Sequence, residues 1–140
     1  MRIRAALLVC AALPFLGSCD GKPPHAGQPT VQGQSMQRML SDVVSIRSYV
    51  YGSSQAEALE AATDLVSWSQ RMAELFPPGQ AWKDYVDMSP ERAGNAPAAM
   101  QRASEQLLSV VRTGDRAAIG AQLARTEHDG CGACHLSGSQ

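Results

Sequence analysis

The chain has 140 residues, 44% of them apolar and 18% charged, with 12 basic and 13 acidic side chains and a net charge of −1. That length holds one small domain with one core. The near-neutral balance argues against nucleic acid as a partner, because phosphate binding needs a basic surface, and the apolar run from Ala5 to Phe15 is shorter than the ~20 residues that span a bilayer.

Residues 1–18 read as a lipoprotein signal peptide. Arg2 and Arg4 make a basic start and the apolar run follows, the pattern of a secretory signal. Leu16-Gly17-Ser18-Cys19 resembles a bacterial lipobox, with Cys19 as the lipidated first residue of the mature chain; the alternative is an ordinary signal cut at Ser18 or slightly later. Asp20 resembles the signal that retains lipoproteins at the inner membrane. The domain is therefore expected on the periplasmic side of the bacterial inner membrane, lipid-anchored, or else soluble in the periplasm. Residues 19–33 are rich in Pro and Gly without apolar periodicity and read as a flexible, lipid-anchored linker. Extended at about 3.1 Å per residue, it reaches on the order of 40 Å. His25 within it reads as a solvated side chain.

Residues 34–140 read as one helical domain. Met36, Met39, Val43, Ile46 and Val50 recur at spacings of 3, 4, 3 and 4, the period of one helix face. A second helix is expected from about Gln55 to Leu75, on Ala58, Ala62, Leu65, Ser69, Met72 and Phe76. Met100, Ala103, Leu107 and Val110 mark a third. A fourth opens at Gly114-Asp115 and carries Ile119, Leu123 and Thr126. Gly52-Ser53-Ser54 and Thr113-Gly114-Asp115 are short connections, so the helices they join should be antiparallel neighbours. Pro77 through Pro97 reads as the long connection, in which Ser89-Pro90-Glu91 can start a helical turn. The expected fold is all-α: an antiparallel up-down-up-down four-helix bundle.

Cys131-Gly132-Ala133-Cys134-His135 is C-x-x-C-H, the attachment signature of c-type haem. Both thiols add across the haem vinyl groups and the imidazole ligates iron. On an α-helix the three side chains stand at i, i+3 and i+4 and share a face. A bare C-x-x-C also fits a thioredoxin-like dithiol, half a zinc site or a disulfide. No βαβ pattern surrounds it, and no second Cys pair completes a four-ligand zinc site. The four cysteines divide consistently: Cys10 leaves with the signal, Cys19 carries lipid, and Cys131 and Cys134 carry haem c.

Taken together, these residues resemble the cytochrome c′ superfamily of four-helix-bundle monohaem cytochromes. The resemblance rests on a Met near the start of helix one, Gly52 about four turns later, Leu75-Phe76-Pro77-Pro78-Gly79 after helix two, Trp82, Gly114-Asp115 and C-x-x-C-H. Two features depart from the pattern. Leu136–Gln140 lacks the basic residue that members often carry after the ligating His, and Gly120 and Gly130 each weaken helix four by about 1 kcal/mol relative to Ala.

The resemblance implies His135 as proximal iron ligand and a helix-one thioether as distal ligand: Met36, with Met39 one turn on as the backup. A thioether opposite His raises the reduction potential. The expected function is then a membrane-tethered periplasmic electron carrier and not an enzyme; no distal His supports a peroxidase. The alternative is a high-spin member whose open distal site binds nitric oxide or carbon monoxide. From Asp20 onward ten basic and thirteen acidic residues leave a net charge of −3. This suits redox partner proteins of the periplasm or inner membrane that dock through a basic patch. Members of the family often pair through their first two helices, so a homodimer is open to this chain alongside a monomer.

Overall fold

A computed structural model describes residues 30–77 and 90–135. The expected signal peptide, Cys19, most of the linker, Trp82, Met88 and Leu136–Gln140 lie outside the described residues.

Helix α1 spans Val31–Val50, and the Thr30 hydroxyl caps it by accepting from the Gly33 N–H at 3.1 Å. It therefore begins three residues inside the segment 19–33 read as linker. The Thr30 cap outweighs the absence of an apolar period there. Ser35, Met39, Val43, Ile46 and Tyr49 are its buried residues, with Met36 and Val50 half-buried. The buried stripe is thus turned from the one expected by about one residue, towards Ser35 and Tyr49. Gly52 opens the connection at φ 126°, a left-handed conformation open to glycine.

Helix α2, Gln55–Gln70, is capped by Ser54 accepting from the Ala56 N–H. The long second helix expected to reach Leu75 is interrupted at Arg71, and a short α3, Met72–Leu75, resumes it. Just before the break the Ser69 hydroxyl donates to the Val66 carbonyl at 2.7 Å and meets the Ser104 hydroxyl at 2.8 Å. Serine bonded back onto its own helix competes with the regular ladder. Phe76, expected to continue the apolar stripe, lies past the helix end and is half-buried.

Helix α4 runs Pro90–Val111 and contains Pro97. This corrects the reading of Pro77–Pro97 as one long connection. Proline suits the first helical position, so Pro90 starts the helix; Pro97 removes a single N–H to the carbonyl four residues back. Ala96, Met100, Ala103, Ser104, Leu107 and Val111 form its buried face.

Gly114, at φ +73°, turns the chain into α5, Arg116–Arg125. The Asp115 carboxylate accepts from the Ala117 and Ala118 N–H groups at 3.0 and 3.1 Å. After Arg125 the helix widens into a π turn, Thr126–Cys131, and closes as α6, Gly132–His135. α5, the π turn and α6 together form the fourth long rod. α1 packs on α2, α2 on α4, α4 on the fourth rod, and that rod back on α1. This is the expected antiparallel four-helix bundle, and no strand occurs among the described residues. No described helix is long and apolar enough to cross a membrane.

The core is built from small side chains: Ala58, Ala61, Ala62, Ala96 and Ala103 are all buried, around Ile46, Leu65, Leu107 and Ile119. Burying alanine removes little apolar area from water, at ~0.8 kcal/mol per CH₂-sized group. Haem-free protein is accordingly expected to unfold at least about 10 °C below the haem-bound form, which corresponds to only ~2 kcal/mol in a domain this small. Calorimetry of both forms checks this, and coincident midpoints would contradict it.

Candidate haem-attachment site

The fourth rod brings the C-x-x-C-H residues to one end of the bundle. Cys131 closes the π turn and is half-buried, Cys134 in α6 is 4% exposed, and His135 is exposed. The expected run of regular α-helix from 131 to 135 thus holds only from Gly132 onward. Both cysteines are free thiols. Burial pushes the Cys131 thiol up from its ordinary value, with the Glu127 carboxylate adding to the effect. Burial likewise raises Cys134, and the neighbouring Cys131 adds to it. Both are therefore protonated at neutral pH. The His135 imidazole makes no hydrogen bond or ion pair among the described residues.

The antiparallel register places the α1 methionines at this same end. Arg47 of α1 pairs with Glu127. Eight residues back along α1 lies Met39, and eight residues on along the fourth rod lies His135. Val50 packs against Gly120 with its Cγ1 3.5 Å from a Cβ built there. Fourteen residues back from Val50 is Met36, and fourteen on from Gly120 is Cys134. Met39 is 6% exposed and belongs to the same apolar core as Cys134, while Met36 is half-buried and packs against that core alongside Cys131 and Ala133.

This donor set suits covalent haem better than a chelated ion. Two free thiols, an unpartnered imidazole and two thioethers gather at one end. Among the described residues, no group of three or more His, Cys, Asp or Glu could hold a metal ion, which removes support for a zinc centre. His128 points to solvent, its side chain 76% exposed and its Nδ1 2.7 Å from the Asp129 carboxylate.

Three features had no counterpart in the sequence reading. The π turn is one; the only hint of it is Gly130, which sequence shows merely as a poor helix former. The approach of Met100 to Gly130 is the second. The third is Asp42, one turn beyond Met39, whose Oδ2 is buried without a hydrogen-bond partner. Burial, with Asp64 of α2 nearby, raises its pKa from 3.8 to about 6, against a smaller opposing pull from Arg38. The folded state thus holds this proton more tightly than the unfolded chain. The resulting stability is fully present below pH ~3.8 and is lost as pH rises through about 6. Asp42→Asn is expected to be about 1 kcal/mol more stable than wild type at pH 7, after allowing for solvent screening of a partly exposed group. The gain should vanish below pH 4. Urea unfolding at both pH values checks it.

Two comparisons with individual proteins return nothing: no curated protein and no solved structure matches the chain. The family model for Cytochrome C′, by contrast, matches residues 30–137, starting at the Thr30 cap of α1 and ending just past His135. Its members are typically periplasmic. With a match over most of its length, an all-helical bundle and the donor set at its end, the chain belongs to the cytochrome c′ family, c-type cytochromes that carry electrons or bind ligands on a covalently attached haem c.

Proposed function

We propose that this protein is a membrane-tethered periplasmic electron carrier in which Cys131 and Cys134 hold haem through thioether bonds and His135 and Met36 ligate its iron. The observation that supports this reading is the register of α1 against the fourth rod: counted outward from Arg47–Glu127 and Val50–Gly120, the methionine end of α1 and the haem motif run to the same end of the bundle. Bound haem supplies a one-electron ferric–ferrous couple. The chain supplies the rest. Cys131 and Cys134, one half-buried and one buried, anchor from the bundle side. His135, without a competing partner among the described residues, is available as a donor. Met36 offers a neutral, polarizable sulfur whose ligation favours the reduced state. The other described histidine, His128, is exposed and paired with Asp129, which suits a carrier better than a catalyst that moves protons.

Reversible one-electron titration of the purified holoprotein, with no carbon monoxide adduct in the ferrous form, tests the carrier reading. A ferrous form that takes up carbon monoxide at once favours the gas-binding alternative. The tether rests on Cys19. With α1 starting at Val31, the segment between Cys19 and Thr30 remains as the spacer. Cys19→Ser is expected to move the protein from the membrane fraction to the soluble periplasmic fraction, checked by fractionation; an unchanged distribution would reject lipid anchoring.

A further inference from the structure

The turn that precedes the haem motif is wider than an α-helix, and two contacts tie it to α4. At its start the Thr126 hydroxyl, 0% exposed, donates towards the carbonyl of Gln122 at 3.0 Å and that of Ala103 at 3.3 Å. At its end Gly130 packs against the same stretch of α4. A Cβ at that position would lie 2.8 Å from the Met100 Sδ and 3.2 Å from the Ala103 Cβ. Met100 is itself 2% exposed, so its side chain has no solvent to swing into. On the other flank, Arg47 of α1 pairs with Glu127 inside the turn. A π turn carries one more residue than the α turn it replaces, and such bulges recur at functional sites. The next residue after Gly130 is Cys131.

We propose that the π turn is a positioning device for the haem motif: Thr126 and Gly130, clamped against Ala103 and Met100 of α4, fix the direction in which Cys131, Cys134 and His135 leave the helix. This rests on the reading that those three residues hold haem. Thr126, Gly130 and Met100 act through the backbone of the turn and are positioning residues. Gly130 is required because a side chain there would push the turn away from α4. Thr126 is required because its single hydroxyl proton is shared between the Gln122 carbonyl of its own rod and the Ala103 carbonyl of α4, and so bridges the seam. Met100 works as the filler that makes the glycine position tight.

The test compares holoprotein of wild type, Gly130→Ala, Met100→Ala, Gly130→Ala with Met100→Ala, and Thr126→Val by intact mass, thermal unfolding and ferric electron paramagnetic resonance. Wild type should carry the mass of one haem. Gly130→Ala should shift the ferric g-values, and Met100→Ala in the same chain should return them towards those of Met100→Ala alone, because it makes room for the added methyl. Thr126→Val keeps the side-chain shape, drops the hydroxyl and should shift the g-values as well. Should Gly130→Ala fail to fold, Thr126→Val decides. Unchanged g-values in the folded variants overturn the proposal even where melting temperatures fall, since a purely structural contact moves only the latter. Wild type lacking the mass of haem overturns the attachment reading, and this proposal with it; a haem-bearing wild type with unshifted variants overturns the clamp alone.

Discussion

Met36→Ala is expected to turn a low-spin spectrum into a high-spin one and to take the ferrous protein from no measurable carbon monoxide binding to stoichiometric binding. The physical reason is that alanine offers no donor atom, and Met39, the other thioether on α1, stays held in the core at 6% exposure. Stability should fall modestly, by about 2 kcal/mol, the low end for removing a Met side chain from a packed site. Met39→Ala is the control. That residue is 6% exposed within the core, so truncation should cost more stability, towards ~4 kcal/mol, while leaving the spectrum low-spin. Absorption spectra of the two variants check both statements. If the spectral change follows Met39 instead, the ligand sits one turn further along α1.

Replacing both thiols, Cys131→Ala with Cys134→Ala, should abolish covalent attachment altogether. Acidified organic solvent then extracts all pigment from the variant and none from wild type, and intact mass falls by one haem beyond the two lost sulfurs. The effect is large because the linkage is covalent, and because Cys134 lies 4% exposed where no other nucleophile is placed among the described cysteines. Each single variant should retain one thioether and full haem mass. Once its pigment is extracted and the chain refolded, the double variant should melt with the haem-free wild type, since its alanine-rich core gains nothing from the substitution.

Much of this architecture is legible in the chain because local rules and packing agree. Asp115 caps α5 through two N–H groups, and the left-handed residues Gly52 and Gly114 sit where the short connections turn. Ile119, Leu123 and Thr126 are buried as their spacing requires. Where the reading and the structure part, a contact distant in sequence decides. The second helix breaks at Arg71, just after Ser69 meets Ser104 across the bundle. Pro97 sits inside α4 because the flanking helix packs Ala96 and Met100 into the core, which local propensity does not report. The π turn depends on α4 lying against Gly130, and a hydrophobic period of 3.6 is blind to a widened turn. In the site itself, C-x-x-C-H is readable because its chemistry is compressed into five residues. The proposal of Met36 as ligand comes only through family resemblance, since a thioether at helical spacing is ordinary core filler. Asp42 escapes because its elevated pKa arises from burial in the folded bundle and then from Asp64 on another helix, neither of which a single helix's period reports.

The central claim, a haem closed on both faces by His135 and a helix-one methionine, is tested most directly by the optical spectrum of the purified wild-type holoprotein in both oxidation states. The account predicts a ferric sulfur-to-iron charge-transfer band and a sharp ferrous α band that carbon monoxide leaves unchanged. Broad high-spin bands, converted at once by carbon monoxide in the ferrous state, would contradict it.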